Sequence, residues 1–424
     1  MIQKITALIA VLILILYIPA AEVSADSDQD SYYYIVIDKE TGMILLEQNS
    51  HERIFPASTT KILTAYTALV STGITSVFTV SPIASGPMET GAVRLGLIEG
   101  EQMQFYDMLH ALMLKSANDI AVSIAENISG SVEDFSLLMN ETAEKAGALD
   151  THFVNPHGLH DDEHYTTPYD LAMISRKALD NFTFATVVSR EEFVLPATNK
   201  HDEFPTLRNS NPILGSNEGY DFIVTGVKTG YTSKAKFTLV SSARDFTGRD
   251  VICVVANIPS RSESAALSLE LMKRAFEEYS VQSVSSSGGL VNINGNDDPG
   301  YDVATAMNIE YLMPVDQSGW KLDYSVEIYP GYSDNPSKGS IIGEISFTYD
   351  GIPIGSSYLV SAEDLSVEEN KNTYEFTDFP EESTASFPLR FLVPMSGFLA
   401  VVFLLFFLAI RYNKNKDRSE ENAI

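Results

Sequence analysis

A single cysteine, Cys253, is all the thiol chemistry this chain has, so a disulfide framework is excluded. It stands inside the apolar run Val251-Ile252-Cys253-Val254-Val255, which suits a buried structural thiol better than a nucleophile. Basic residues are scarce as well: 28 Lys and Arg face 57 Asp and Glu, a formal net charge of -29. Binding that relies on phosphate neutralisation is thereby disfavoured, and no nucleic-acid partner is expected. There is no H-E-x-x-H pair; the cluster His160-Asp161-Asp162-Glu163-His164 lies in a turn-rich stretch rather than on a helix, and neither a metal nor a cofactor is expected. No internal repeat is present.

Long apolar runs are confined to the two ends. Residues 1–25 carry Lys4, an apolar core from Ile5 to Ile18 and the small-residue pattern Val23-Ser24-Ala25, and read as a cleaved signal peptide. Residues 391–410 are uncharged, and twenty residues at helical rise just cross a hydrocarbon core of about 30 Å. Arg411, Lys414, Lys416 and Arg418 follow, so the positive-inside rule places the tail 411–424 in the cytoplasm. The expectation is a single-pass protein of the cell membrane with its bulk, from Asp26 to about Leu389, facing outward.

Between these ends the pattern changes near Gln282. Before it, SYYYIVID and GMILLEQ read as a hairpin, Thr60 to Val70 as a helix, and Phe105–Leu114 and Ile120–Ile128 as two helices broken at Lys115-Ser116-Ala117-Asn118. Thr167-Pro168-Tyr169-Asp170 opens another helix, with Thr167 as cap and Asp170 as box partner. Three strands follow, FIVTGVKTG, KFTLVSSA and DVICVVANI, then a helix from Ser262 to Tyr279. Helices packed on an antiparallel sheet, an α+β fold over residues 26–281, is the implied architecture. After the linker 285–289, short alternating runs predict a small all-β domain over 290–368, and the acidic, Ser/Thr-rich stretch 369–390 reads as a stalk.

Three S-x-x-K motifs occur, at Ser58-Lys61, Ser233-Lys236 and Ser318-Lys321. Only Ser58 follows a proline and opens an apolar-periodic helix, where the i, i+3 spacing puts hydroxyl and amine on one face. Downstream come Ser116-Ala117-Asn118 and the sole Lys-Thr-Gly, Lys228-Thr229-Gly230, on a predicted strand. This ordered trio resembles the penicillin-recognising serine enzymes. PASTTK, LKSANDIA, the loop Asn155-Pro156-His157-Gly158-Leu159, GVKTGYT and Arg261 before the last helix make it most similar to the low-molecular-mass D-alanyl-D-alanine carboxypeptidases, over about Tyr32 to Tyr279.

That resemblance implies a penicillin-binding, β-lactamase-like fold and an acyl-enzyme on Ser58. Lys61 is the expected base, its ammonium destabilised by burial, a helix N-terminus and the second cation Lys228. By the same resemblance Ser116 relays the proton, Asn118 holds a substrate amide, and the backbone N–H groups of Ser58 and Tyr231 form the oxyanion hole. Lys228, Thr229, Gly230 and Arg261 line the binding side, and the three of positive or hydroxyl character, Lys228, Thr229 and Arg261, are candidates for a free terminal carboxylate. His157 is expected to fix a loop wall. The implied partners are a peptidoglycan stem peptide ending in D-Ala-D-Ala and, as covalent inhibitors, β-lactams. Three alternatives stand beside this: a β-lactamase, a D,D-endopeptidase or transpeptidase on the same fold, and a non-catalytic tethered wall-binding protein. For the first, Glu163 is the loop glutamate on offer, outside the setting such enzymes have.

Overall fold

The structure is a computed structural model, and it describes residues 32–217, 219–293, 299–319, 321–330 and 336–363. The expected signal peptide, stalk, spanning segment and tail lie outside the described residues. No helix among the described residues is long and apolar enough to cross a membrane.

The chain opens with the hairpin β1 (Tyr33–Asp38) and β2 (Ile44–Gln48). A 3₁₀ turn over Ala57–Thr59 leads into α1 (Thr60–Ser71). Then come α2 (Phe105–His110), α3 (Asn118–Ser129), α4 (Val132–Lys145), α5 (Pro168–Leu179) and α6 (Phe182–Val188). Strands β3 (Phe222–Thr232), β4 (Lys236–Asp245) and β5 (Asp250–Ile258) precede α7 (Arg261–Glu278). The five strands form one antiparallel sheet in the order β2-β1-β5-β4-β3, which leaves β3 at an edge.

β1 and β5 are apolar over most of their length because both faces of the sheet are covered. Ile35, Ile37, Val240, Ile252 and Val254 join the core shared with α1 to α6, while Val36, Leu239, Val251, Cys253 and Val255 pack with Leu271, Met272 and Ala275 of α7 on the other face. Cys253 is fully buried, and burial pushes its thiol up to about 12, which makes it packing material.

Two local expectations need correction. Thr167 does cap α5, its Oγ1 accepting from Asp170 N at 3.0 Å, but the Asp170 carboxylate accepts from Asp150 N at 2.7 Å instead of reaching back. An aspartate is one methylene shorter than the glutamate of a full capping box. The last helix stops at Glu278, and Tyr279 begins a strand, β6 (Tyr279–Ser285), that pairs with β9 (Ile309–Pro314). Residue 281 therefore falls inside a strand, and the stretch 285–289 is no loose tether: Gly288 N donates to Thr305 O and Thr305 N to Gly289 O. Between β6 and β9 lie β7 (Leu290–Val291) and β8 (Val303–Thr305); β10 (Leu322–Ile328), β11 (Ile341–Tyr349) and β12 (Ile352–Ser361) follow. These make a second antiparallel sheet, β7-β8-β12-β11-β10, around Val303, Ile342, Ile345 and Leu359.

Candidate active site

Ser58 sits in the 3₁₀ turn ahead of α1, so its side chain and that of Lys61 rise from one helical end. α1 runs through the core with its first two turns buried on nearly all sides, and this takes Lys61 completely out of water. Burial, with the charge of Lys228 adding to it, holds the Lys61 ammonium well below its ordinary range; Asp119 pulls the other way. Three partners surround the amine: Asn118 Oδ1 at 2.7 Å, the His157 carbonyl at 2.5 Å and Ser58 Oγ at 3.2 Å. In its neutral form this amine has two N–H bonds and one lone pair. The two carbonyl oxygens accept the N–H bonds, which leaves the lone pair for the serine hydroxyl. That is the arrangement a general base requires.

The turn that carries Ser58 is braced by the loop around Gly158. Ala57 has φ 50°, a left-handed conformation uncommon for a residue with a Cβ. Gly158 packs directly against it: a Cβ at Gly158 would overlap the Ala57 carbonyl and stand 2.8 Å from Thr60 Oγ1. Asn155 Oδ1 accepts from the backbone N–H of both His157 and Gly158 and so shapes the loop. The His157 ring accepts from Leu159 N at 3.1 Å, and its carbonyl is one of the two acceptors on Lys61. Burial and the Lys61 charge lower its imidazole to about 3, so the ring is neutral.

His164, from the acidic histidine cluster, braces the same corner. Its Nδ1 accepts from Val154 N at 3.1 Å, so Nε2 carries the proton and donates to Thr60 Oγ1 at 2.8 Å. Burial depresses this ring to about 4.

Ser116 and Asn118 arrive through a break in the helix. After α2 the backbone widens into a π-helical stretch, Ala111–Lys115, and Ser116 takes φ 65° before α3 starts at Asn118. Such π segments are frequent at functional sites. The sequence predicts the break but not its kind. Asn118 faces Lys61 rather than open solvent. Ser116 Oγ is buried without a hydrogen-bond partner among the described residues. Neighbouring Asp119 was not anticipated. Fully buried, it accepts from Leu95, Gly96 and Leu97 N at 2.9, 2.8 and 3.2 Å, and Val93 O accepts from Asn118 N at 2.8 Å. The 93–97 segment is thereby sewn to the start of α3.

The opposite wall is the edge strand β3. Gly230 lies against the turn that carries Ser58, where a Cβ would stand 2.9 Å from Pro56 O and 3.1 Å from Ser58 N. Only a glycine lets the strand and the turn approach so closely. Tyr231 follows with an exposed ring packed on Phe237, their centroids 4.5 Å apart. Lys228 is buried, donates to Thr229 O at 3.0 Å, and is lowered to about 7 by burial and by the Arg261 charge. Arg261 is exposed at the first turn of α7, yet the helix is capped by Ser260, whose Oγ accepts from Glu263 N. The guanidinium is directed at the Ser210 carbonyl. Ser210 Oγ lies 2.8 Å from Thr229 Oγ1, which ties Arg261 to the Lys-Thr-Gly strand through a residue that sequence reasoning passed over. The other two S-x-x-K serines are elsewhere: Ser233 is in the β3–β4 turn and Ser318 in a turn after β9.

A buried lysine poised on a serine, on a five-stranded antiparallel sheet backed by helices, defines the penicillin-binding class of serine enzyme. Residues 20–260 match the S11 peptidase family, described as D-alanyl-D-alanine carboxypeptidase, and the chain belongs to that family. It is 28% identical to the D-alanyl-D-alanine carboxypeptidase DacF of Bacillus subtilis, over 78% of this chain and 85% of that one. To DacD of Escherichia coli it is 31% identical, over 66% and 73%. Among solved structures, penicillin binding protein 5 from Haemophilus influenzae superposes with a TM-score of 0.59 at 26% identity, covering 78% of this chain and 96% of that one.

Proposed function

We propose that the protein removes the terminal D-alanine from peptidoglycan stem peptides by acyl transfer through Ser58, with Lys61 as the base. The observation that carries this is the Lys61 amine with two carbonyl acceptors and the serine hydroxyl as its third neighbour. Ser58 Oγ adds to the carbonyl carbon of the penultimate residue as its proton passes to Lys61. The oxyanion forms beside the backbone N–H groups of Ser58 and Tyr231. Collapse breaks the peptide bond, and the departing D-alanine amine takes a proton relayed through Ser116. Water then attacks the ester and returns Ser58. Thr229 and Arg261 receive the substrate's free carboxylate, the feature that separates trimming a chain end from cutting within a chain, with the buried Lys228 amine on the same strand as Thr229. β-Lactams, closed mimics of the same acyl donor, acylate the same serine.

The reading extends to place. Residues 1–25 are taken as a signal peptide, 391–410 as one membrane span and 411–424 as a cytoplasmic tail, so that catalysis faces the wall; the sheet within 290–368 acts as a spacer below the catalytic domain 26–281, above the stalk 369–390.

A labelled penicillin tests the centre of this. Mass spectrometry is expected to find the adduct on the peptide spanning Pro56 to Lys61, with Ser58→Ala abolishing it. Labelling on Ser233 or Ser318 would sink the assignment.

A further inference from the structure

A carboxylate only accepts hydrogen bonds, so Thr229 can grip one only with its hydroxyl proton turned toward the ligand. Its oxygen must then be satisfied by a donor from behind. Ser210 Oγ stands in that place, 2.8 Å from Thr229 Oγ1. The same residue's carbonyl accepts from Arg261 Nη2, which consumes one guanidinium N–H and leaves the rest of the fork for a ligand. One residue thus touches both halves of the carboxylate site, with its side chain on one and its backbone on the other.

The segment bearing Ser210 is built to hold still. Asn209 Nδ2 donates to Val188 O and to Arg190 O, both at 3.0 Å, and Asn209 N donates to Glu191 O at 2.8 Å. On the other side Asn211 N donates to Asn209 Oδ1 at 3.0 Å, and Asn211 Oδ1 accepts from Ile213 N at 3.1 Å. One asparagine on each side of the serine therefore holds the backbone. A loop with no interest in its centre would have little use for such anchoring, and here the centre faces the edge strand of the active site.

We infer that Ser210 is a positioning residue for recognition of the substrate's free carboxylate: its hydroxyl donates to Thr229 Oγ1, which turns the Thr229 proton outward, and its carbonyl aims the Arg261 guanidinium. The inference rests on the reading of Thr229 and Arg261 as the carboxylate site. It also separates the two functions of Ser210, because replacing the side chain removes the first and spares the second.

The test compares a D-alanyl-D-alanine peptide with its C-terminal amide, on full-length protein in detergent, for wild type, Arg261→Ala, Ser210→Ala and Ser210→Thr. The readout is the ratio of kcat/KM for acid over amide, which cancels any loss of folded enzyme in a preparation. Arg261→Ala is expected to lower the ratio. Ser210→Ala is expected to lower it about three- to tenfold, the worth of one hydrogen bond, chiefly through KM for the acid, and Ser210→Thr to bring it back to within about twofold of wild type. A ratio unchanged in Ser210→Ala beside a fallen ratio in Arg261→Ala would overturn the role of Ser210 alone. Ratios unchanged in both would overturn the carboxylate site beneath it.

Discussion

Lys61 and Lys228 are both fully buried amines, and burial lowers both away from the range of a lysine in water. The spacing of Ser58 and Lys61 could be read from the chain, because a helix of known pitch puts i and i+3 side by side. What could not be read is which two oxygens would take the amine's N–H bonds, since the His157 carbonyl is 96 residues away in sequence. Lys228 offers a measurable consequence. Burial, reinforced by the Arg261 charge, sets it at about 7 in the folded protein against 10.5 in the unfolded chain. Between those values the unfolded state holds a proton that the folded state lacks, so stability rises with pH; below about 7 both states are protonated and the dependence from this residue ends. Denaturant unfolding at pH 7, 8 and 9 is expected to show a wild-type slope that Lys228→Met reduces, by up to about 1.4 kcal/mol per pH unit. An undiminished slope in the variant would mean that Lys228 titrates as it would in water.

At the scale of elements, periodicity located the hairpin, α1 and the three strands β3 to β5, because each is amphipathic or buried along its own length. It failed where neighbours decide the backbone. The π-helical turns before Ser116 and the left-handed Ala57 are held by packing from distant loops, and Tyr279–Ser285 becomes a strand because Ile309–Pro314 lies alongside it. Asp119 belongs to the same group: beside Asn118 it looks like an ordinary first-turn acid of a helix, but it gathers three backbone N–H groups from 93–97. Asp119→Asn keeps the shape, removes the charge and replaces one accepting oxygen by an NH₂ group. The expected cost is about 1.5–3 kcal/mol, the worth of a hydrogen bond to a charged group with a donor left unpaired, read from the shift in denaturant midpoint. A loss below about 0.5 kcal/mol would show that the segment is held without it.

For the molecule as a whole, the proposed topology makes its own prediction. In cells stripped of their wall, external protease is expected to release a soluble fragment that still binds penicillin and ends between Glu368 and Phe387, while a tag after Ile424 stays protected behind the basic flank. An accessible tag would overturn the single-span arrangement. The order Ser58-Lys61, Ser116-Asn118, Lys228-Gly230 was legible without coordinates, since each motif is short, local and chemically constrained, and from it the family followed. Everything that turns those motifs into one site is long-range. Lys61 is taken out of water because helices and sheet close over it, Gly230 matters because a Cβ there would stand 3.1 Å from Ser58 N, and Ser210 enters because a clamped loop sets its hydroxyl against Thr229. Local sequence determines which groups a segment can offer; desolvation and direction arise only when segments far apart in the chain share one interior, and that the tertiary structure decided.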